Sequence, residues 1–198
     1  MHMTQDKAFV AEKLRTWESL LQGYELPTWD MLPGIELYMD QVIMLLTQYL
    51  NFLPREEEGD TIITPAMINN YVKLKVIPPP VKKRYSRLHL AYLIIVCMLK
   101  QTMGIAAVQQ ALPPVDAAEE TIRATYDAFV CAHKSVSATF TAQVRAVASP
   151  VLLSEEPGDS AVSTLILRSA VAASLFKLLT EKLIALPGTP APDEADGI

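Results

Sequence analysis

Apolar residues recur every three or four positions through most of this chain, the spacing of one helical face. Residues 4–22 form the first such stretch, with Phe9, Val10, Lys13, Leu14, Trp17, Leu20 and Leu21 as its stripe and Gly23 as its stop. A turn-rich connector over 26–34 (LPTWDMLPG) follows, where Trp29 and Leu32 are expected to pin the N-terminal helix to the core. A second helix is predicted from Tyr38 or Asp40 to Phe52, then a charged loop over 54–60. Thr64 and Pro65 mark a helix start, because threonine caps free amides and proline suits the first turn. That helix is predicted to end near Lys75, ahead of Pro78, Pro79 and Pro80. Ser86 can cap the next helix to about Thr102, and Gly104 separates it from a short one reaching Leu112.

Past Pro113 and Pro114 the helices lengthen. Asp116 and Glu119 have capping-box spacing and open a helix expected to run to about Ser149. Ile122, Tyr126, Phe129, Val136, Phe140, Val144 and Val147 line it, with His133 filling the gap, in steps close to a heptad seam. Such a seam serves either a second subunit or packing within one. A loop over 150–158, a last helix capped by Asp159 or Ser160 and running to about Leu186, and a disordered tail complete the reading. The expected organisation is 1–37 as N-terminal helix and connector, 38–112 as a compact helical domain, 113–187 as a helical dimerisation or effector region, and 188–198 as tail. The fold class is all-α, with at most a small wing over 76–85.

Composition narrows the class. With 51% apolar and 20% charged residues, the chain can bury a core and stay soluble. Cys97 and Cys131 stand singly in apolar helical patterns, as small core hydrophobes of a reducing, cytoplasmic compartment rather than a disulfide or zinc framework. The greasy stretch over 165–179 contains Arg168, Ser169, Ser174 and Lys177, which argues against a membrane span. His2, His89 and His133 are scattered, and neither metal-ligand spacing, nor a phosphate loop, nor a nucleophile elbow occurs. No cofactor and no enzymatic activity are expected.

Charge distribution changes the picture more than its sum. The chain carries −5, yet residues 61–115 lack aspartate and glutamate and hold Lys73, Lys75, Lys82, Lys83, Arg84, Arg87 and Lys100. That window is +7 and the remainder −12. A basic module in an acidic protein suits phosphates, since screening makes local charge outweigh the total.

Within it, residues 64–85 read TPAMINNYVKLKVIPPPVKKRY. Met67, Ile68, Tyr71 and Leu74 share the inner side of a short helix, leaving Ala66, Asn69, Asn70 and Lys73 outward. Asparagine amides can pair with adenine in the major groove, while lysine meets phosphate. The helix start, the tyrosine, the aliphatic pair before prolines, and the following GIAAVQQAL resemble the winged helix-turn-helix of MerR-family regulators. That resemblance implies DNA contacts from Thr64, Ala66, Asn69, Asn70, Lys73 and Lys75, and backbone contacts from Lys82, Lys83, Arg84, Tyr85 and Arg87. Lys75 departs from the family's helix-ending glycine, and the wing is short. The pieces LPTWDMLPGIELYMDQV, ITPAMINNYVK and PPPVKKRYSRLHLAYLIIVCMLK are similar to the bacterial domain of unknown function 1836, over residues 26–112. The expected function is a transcriptional regulator on double-stranded DNA, acting as a homodimer, with room for a small-molecule effector. The alternative is a protein-interaction module of the same fold that does not bind DNA.

Overall fold

A computed structural model describes residues 7–22, 24–53, 62–153 and 158–186. The helices are α1 (Lys7–Gln22), α2 (Met39–Tyr49), α3 (Pro65–Lys73), α4 (Arg87–Leu99), α5 (Ile105–Ala111), α6 (Glu119–Leu153) and α7 (Gly158–Ile184), with one 3-10 turn at Trp29–Met31. Among the described residues there is no strand, only two isolated antiparallel bridges, so the all-α expectation holds.

The core is built around α4. Its side chains from His89 to Cys97 are all buried. A helix apolar around its whole circumference requires such enclosure. The Cys97 thiol is pushed up to about 12 by burial, as suits an inert core residue. Cys131, expected inside as well, is instead exposed on α6. Val42 and Leu46 from α2, Ile68 and Tyr71 from α3, Val108 from α5, and Ile122 and Tyr126 from α6 close around α4.

The connector ahead of α2 is part of this core. Trp29 and Leu32 are buried, and Trp29 packs the connector against α6. Trp29 meets Tyr126 edge-on at 6.2 Å between centroids, and the Tyr126 hydroxyl donates to the Pro27 carbonyl at 2.7 Å. The α1 stripe is correspondingly shallow: Phe9 is 56% exposed, and Trp17 makes an edge contact with Phe140 of α6.

Several boundaries differ from the expected ones, among them the end of α2 at Tyr49 rather than Phe52 and of α4 at Leu99 rather than Thr102. The first α6 bonds run to the Ala118 carbonyl, leaving Asp116 in the preceding turn, while Glu119 and Glu120 face the helix dipole. α6 continues through Pro150 to Leu153: proline removes one amide but its φ is already helical, so a last turn can follow it. α7 begins at Gly158, inside the loop expected over 150–158. The predicted loop over 54–60 and tail over 188–198 lie outside the described residues.

The α6 seam divides. Ile122 and Tyr126 are buried in the chain's own core and Phe129 packs on it, whereas Val136 is 65% exposed. Its first half therefore packs within one subunit. Two histidines share that interior character. The Ser86 amide donates to His89 Nδ1 at 3.0 Å, so the ring proton sits on Nε2, which faces the Pro79 carbonyl at 3.4 Å. His133 lies against Tyr24 and Phe52. Burial lowers both pKa values below the ordinary 6.5. A histidine depressed by folding contributes stability above its unfolded value and loses it as pH falls through the folded one. Thermal midpoints are thus expected to be level above about pH 7 and to drop below about pH 6. His89→Gln, which keeps a capping acceptor, should flatten part of that drop; an unchanged profile would show that His89 is not responsible.

Candidate nucleic-acid interface

Thr64 caps α3 through its hydroxyl, which accepts the Met67 amide at 3.2 Å, and Pro65 fills the first turn. Ile68 and Tyr71 turn inward, so Ala66, Asn69, Asn70 and Lys73 are exposed. Their spacing of three, four and seven places them along one stripe of a helix that is otherwise anchored. The stripe carries two amides and a cation, with no acidic residue between residues 62 and 115.

The end of α3 is unusual. The Val76 amide bonds the Tyr71 carbonyl at 2.9 Å and the Lys75 amide bonds Val72 at 3.0 Å, which is the Schellman pattern. That pattern needs a left-handed residue, and Lys75 takes φ 56° where glycine would be easier. Gln109 of α5 donates to the carbonyls of Leu74 and Lys75 at 3.1 and 3.3 Å, holding this strained end in place.

The same compromise recurs in the turn over residues 81–84. Val81 and Arg84 exchange both backbone hydrogen bonds, at 3.2 and 2.9 Å, around the pair Lys82-Lys83. Their φ values of 49° and 62° define a type I′ turn, which favours asparagine and glycine. An L-residue held left-handed costs about 1–2 kcal/mol. Among the described residues, the non-glycine positions with positive φ are Lys75, Lys82 and Lys83, all exposed. Each trades backbone ease for a presented cation.

Arg84 is aimed by a neighbour that sequence reasoning missed. Its guanidinium lies 4.2 Å from the centroid of the Tyr38 ring and donates to the Tyr38 hydroxyl at 2.7 Å. The two residues are 46 positions apart, so no local pattern announces the pair. Gln109 escaped notice for the same reason.

Geometry turns one expected contact into the core and leaves another half-buried. Tyr85 is only 3% exposed: its backbone pairs with Leu37 in both directions at 2.8 Å and its ring packs edge-on against His89. It anchors the hairpin rather than reaching outward. Arg87 is half-buried, with its Nε buried and its guanidinium 5.9 Å from the Trp29 ring. A Cβ on Gly34 would stand 3.1 Å from Arg87 Nη2, so the missing side chain makes room for this inward arginine. Lys100, whose Nζ lies 5.6 Å from the Tyr71 ring centroid, is exposed at the end of α4.

Among the described residues, no group of three or more histidines, cysteines, aspartates or glutamates could hold a metal ion. A crevice between α1 and α6, lined by Trp17, Glu18, Phe140, Thr141 and Val144, encloses only about 10 Å³, far below the ~300 Å³ of ordinary ligand pockets.

The chain belongs to the family described as Domain of unknown function (DUF1836), whose pattern matches residues 27–129, just over half of its length. That span runs from the connector through α2, α3, the 81–84 turn, α4 and α5 to the first third of α6. No curated protein and no solved structure matches the chain.

Proposed function

We propose that this protein is a DNA-binding regulator of transcription, laying α3 in the major groove while the residue 81–84 hairpin grips the adjacent backbone. The observation that carries the reading is the left-handed backbone of Lys75, Lys82 and Lys83, where cations stand in positions that glycine or asparagine would occupy at lower cost. Strain retained at solvent-facing cations points to a surface whose charge has work to do. The exposed stripe Ala66, Asn69, Asn70 and Lys73 beside the same acid-free region supports major-groove reading in the MerR-like manner. Thr64 acts as the helix cap, and Arg84 is a backbone contact oriented by Tyr38. Two copies would read an inverted repeat, since symmetric sites mirror symmetric proteins.

Selection from a random duplex pool followed by salt titration tests this reading. Affinity should fall steeply with salt, and the triple substitution Lys82→Ala, Lys83→Ala, Arg84→Ala should reduce the log–log slope by about 2–3, roughly 0.9 per lost phosphate contact. Asn70→Ala should instead alter the selected sequence by about 1–3 kcal/mol at one base pair. Duplex binding that is absent, or indifferent to salt and to the triple substitution, would leave the protein-interaction reading in its place.

A further inference from the structure

The helix α7 is rich in apolar residues yet is enclosed along little of its length. Residues 166–179 are exposed without interruption, although the segment Val162–Ile184 is long and apolar enough to cross a membrane. Ile166, Leu167, Val171, Leu175, Phe176 and Leu179 are each more than half exposed. Contact with the body is confined to the ends, where Val162 is buried and Ile184 packs against the core. With Leu178 and Leu183, the exposed side chains amount to about 900 Å² of apolar surface, against the ~800 Å² each partner gives to a stable interface. A monomer rarely leaves a patch above about 600 Å² uncovered.

We infer that α7 is the self-association surface of this protein and that its occupant is the α7 of a second copy, crossing it about a two-fold axis. The exposed apolar area of α7 is comparable to what one partner gives to a stable dimer. The sequence along α7 is suited to itself. The side of the helix away from Val162 and Ile184 presents Val171, Leu175, Leu178 and Leu179, and a two-fold axis sets this apolar stripe against the same stripe of the second copy.

A bilayer is the poorer occupant. Val162 and Ile184 both attach to the same folded body, so spanning requires one end to detach. Arg168 and Lys177 would lie within about 8 Å of the bilayer midplane at 1.5 Å per residue, at a cost of about 2.5–3.5 kcal/mol each. This inference deepens the two-copy part of the proposed function but does not depend on DNA.

Light scattering on the full chain without DNA should give twice the 21.9 kDa chain mass. The pair Val171→Glu, Leu175→Glu should weaken self-association at least tenfold and leave a folded monomer by circular dichroism, since neither side chain packs within the chain. If those acids disturb folding, Ala172→Cys in a Cys131→Ser background supplies a second measurement: oxidation should link two chains near the crossing. A wild-type monomer at micromolar concentration, or a dimer insensitive to the α7 acids and not linked through residue 172, would overturn the inference. So would flotation of a monomer with phosphatidylcholine–phosphatidylglycerol vesicles that the acids abolish. The triple substitution in the wing must leave the mass unchanged, so lost DNA binding with an intact dimer counts against the DNA reading alone. A monomer that still binds duplex overturns the present inference alone.

Discussion

The double substitution Lys82→Asn, Lys83→Gly is expected to raise the unfolding midpoint and, in the same protein, to weaken duplex binding. The two changes have separate physical origins. Both residues have positive φ in a type I′ turn, and asparagine followed by glycine is the pair that turn prefers. Relief of about 1–2 kcal/mol is expected in total, after allowing for glycine's larger entropy loss, which raises Tm by a few degrees for a chain of this size. Removing two cations from the hairpin proposed to grip the DNA backbone should cost about tenfold in affinity for each lost contact and lower the salt slope by about 2. Alanine at both positions separates the effects, because its Cβ keeps the left-handed strain while the charge is lost. That variant should match the affinity loss without the gain in stability. If the asparagine–glycine variant were more stable and bound DNA unchanged, the hairpin would be an ordinary turn and the strain would need another explanation.

What was readable in the sequence and what was not follow from the range of the forces involved. Helix periodicity and capping act over a few residues, so Thr64, Pro65 and the inward Ile68 and Tyr71 were legible, as was the outward stripe of α3. The charge window needed only counting. A tyrosine and an arginine after two lysines look like one basic run, yet the structure places Tyr85 in the core and leaves Arg87 half-buried. Their burial is decided by Leu37, His89, Trp29 and the gap at Gly34, up to 58 residues away in the chain. Tyr38 and Gln109, which aim Arg84 and hold the α3 end, belong to the same class of distant partners. The sequence marked Lys75 as a departure from glycine. Only the backbone shows that Lys75 takes the left-handed conformation that a glycine adopts more easily. For α7, the apolar composition was evident but its exposure was not, because nothing local distinguishes a helix closed in by its own chain from one left open.

Trp29→Ala is expected to have the largest effect on stability, with consequences that reach the wing. Trp29 is 2% exposed, meets Tyr126 edge-on, and lies beside the Arg87 guanidinium. Truncating a buried indole removes its transfer energy and leaves a cavity, typically about 3–5 kcal/mol, which urea unfolding would read as a lower midpoint with little change in slope. Tyr126→Phe, which keeps the ring and removes only the hydroxyl bonded to Pro27, should cost about 1–3 kcal/mol. A cost for Trp29→Ala below that of Tyr126→Phe would show that the connector is not part of the core. The connector is also the strip against which the hairpin is registered, since Leu37 and Tyr85 exchange both backbone bonds. Under conditions where Trp29→Ala is still folded, hydrogen exchange at the Tyr85 amide should therefore accelerate well beyond the change at Leu74, whose amide bonds Asn70 within the α3 end. Equal acceleration at the two amides would mean that the loss is global. Selective acceleration at Tyr85 would make the buried tryptophan a support for the lysines of the wing, even though it touches none of them.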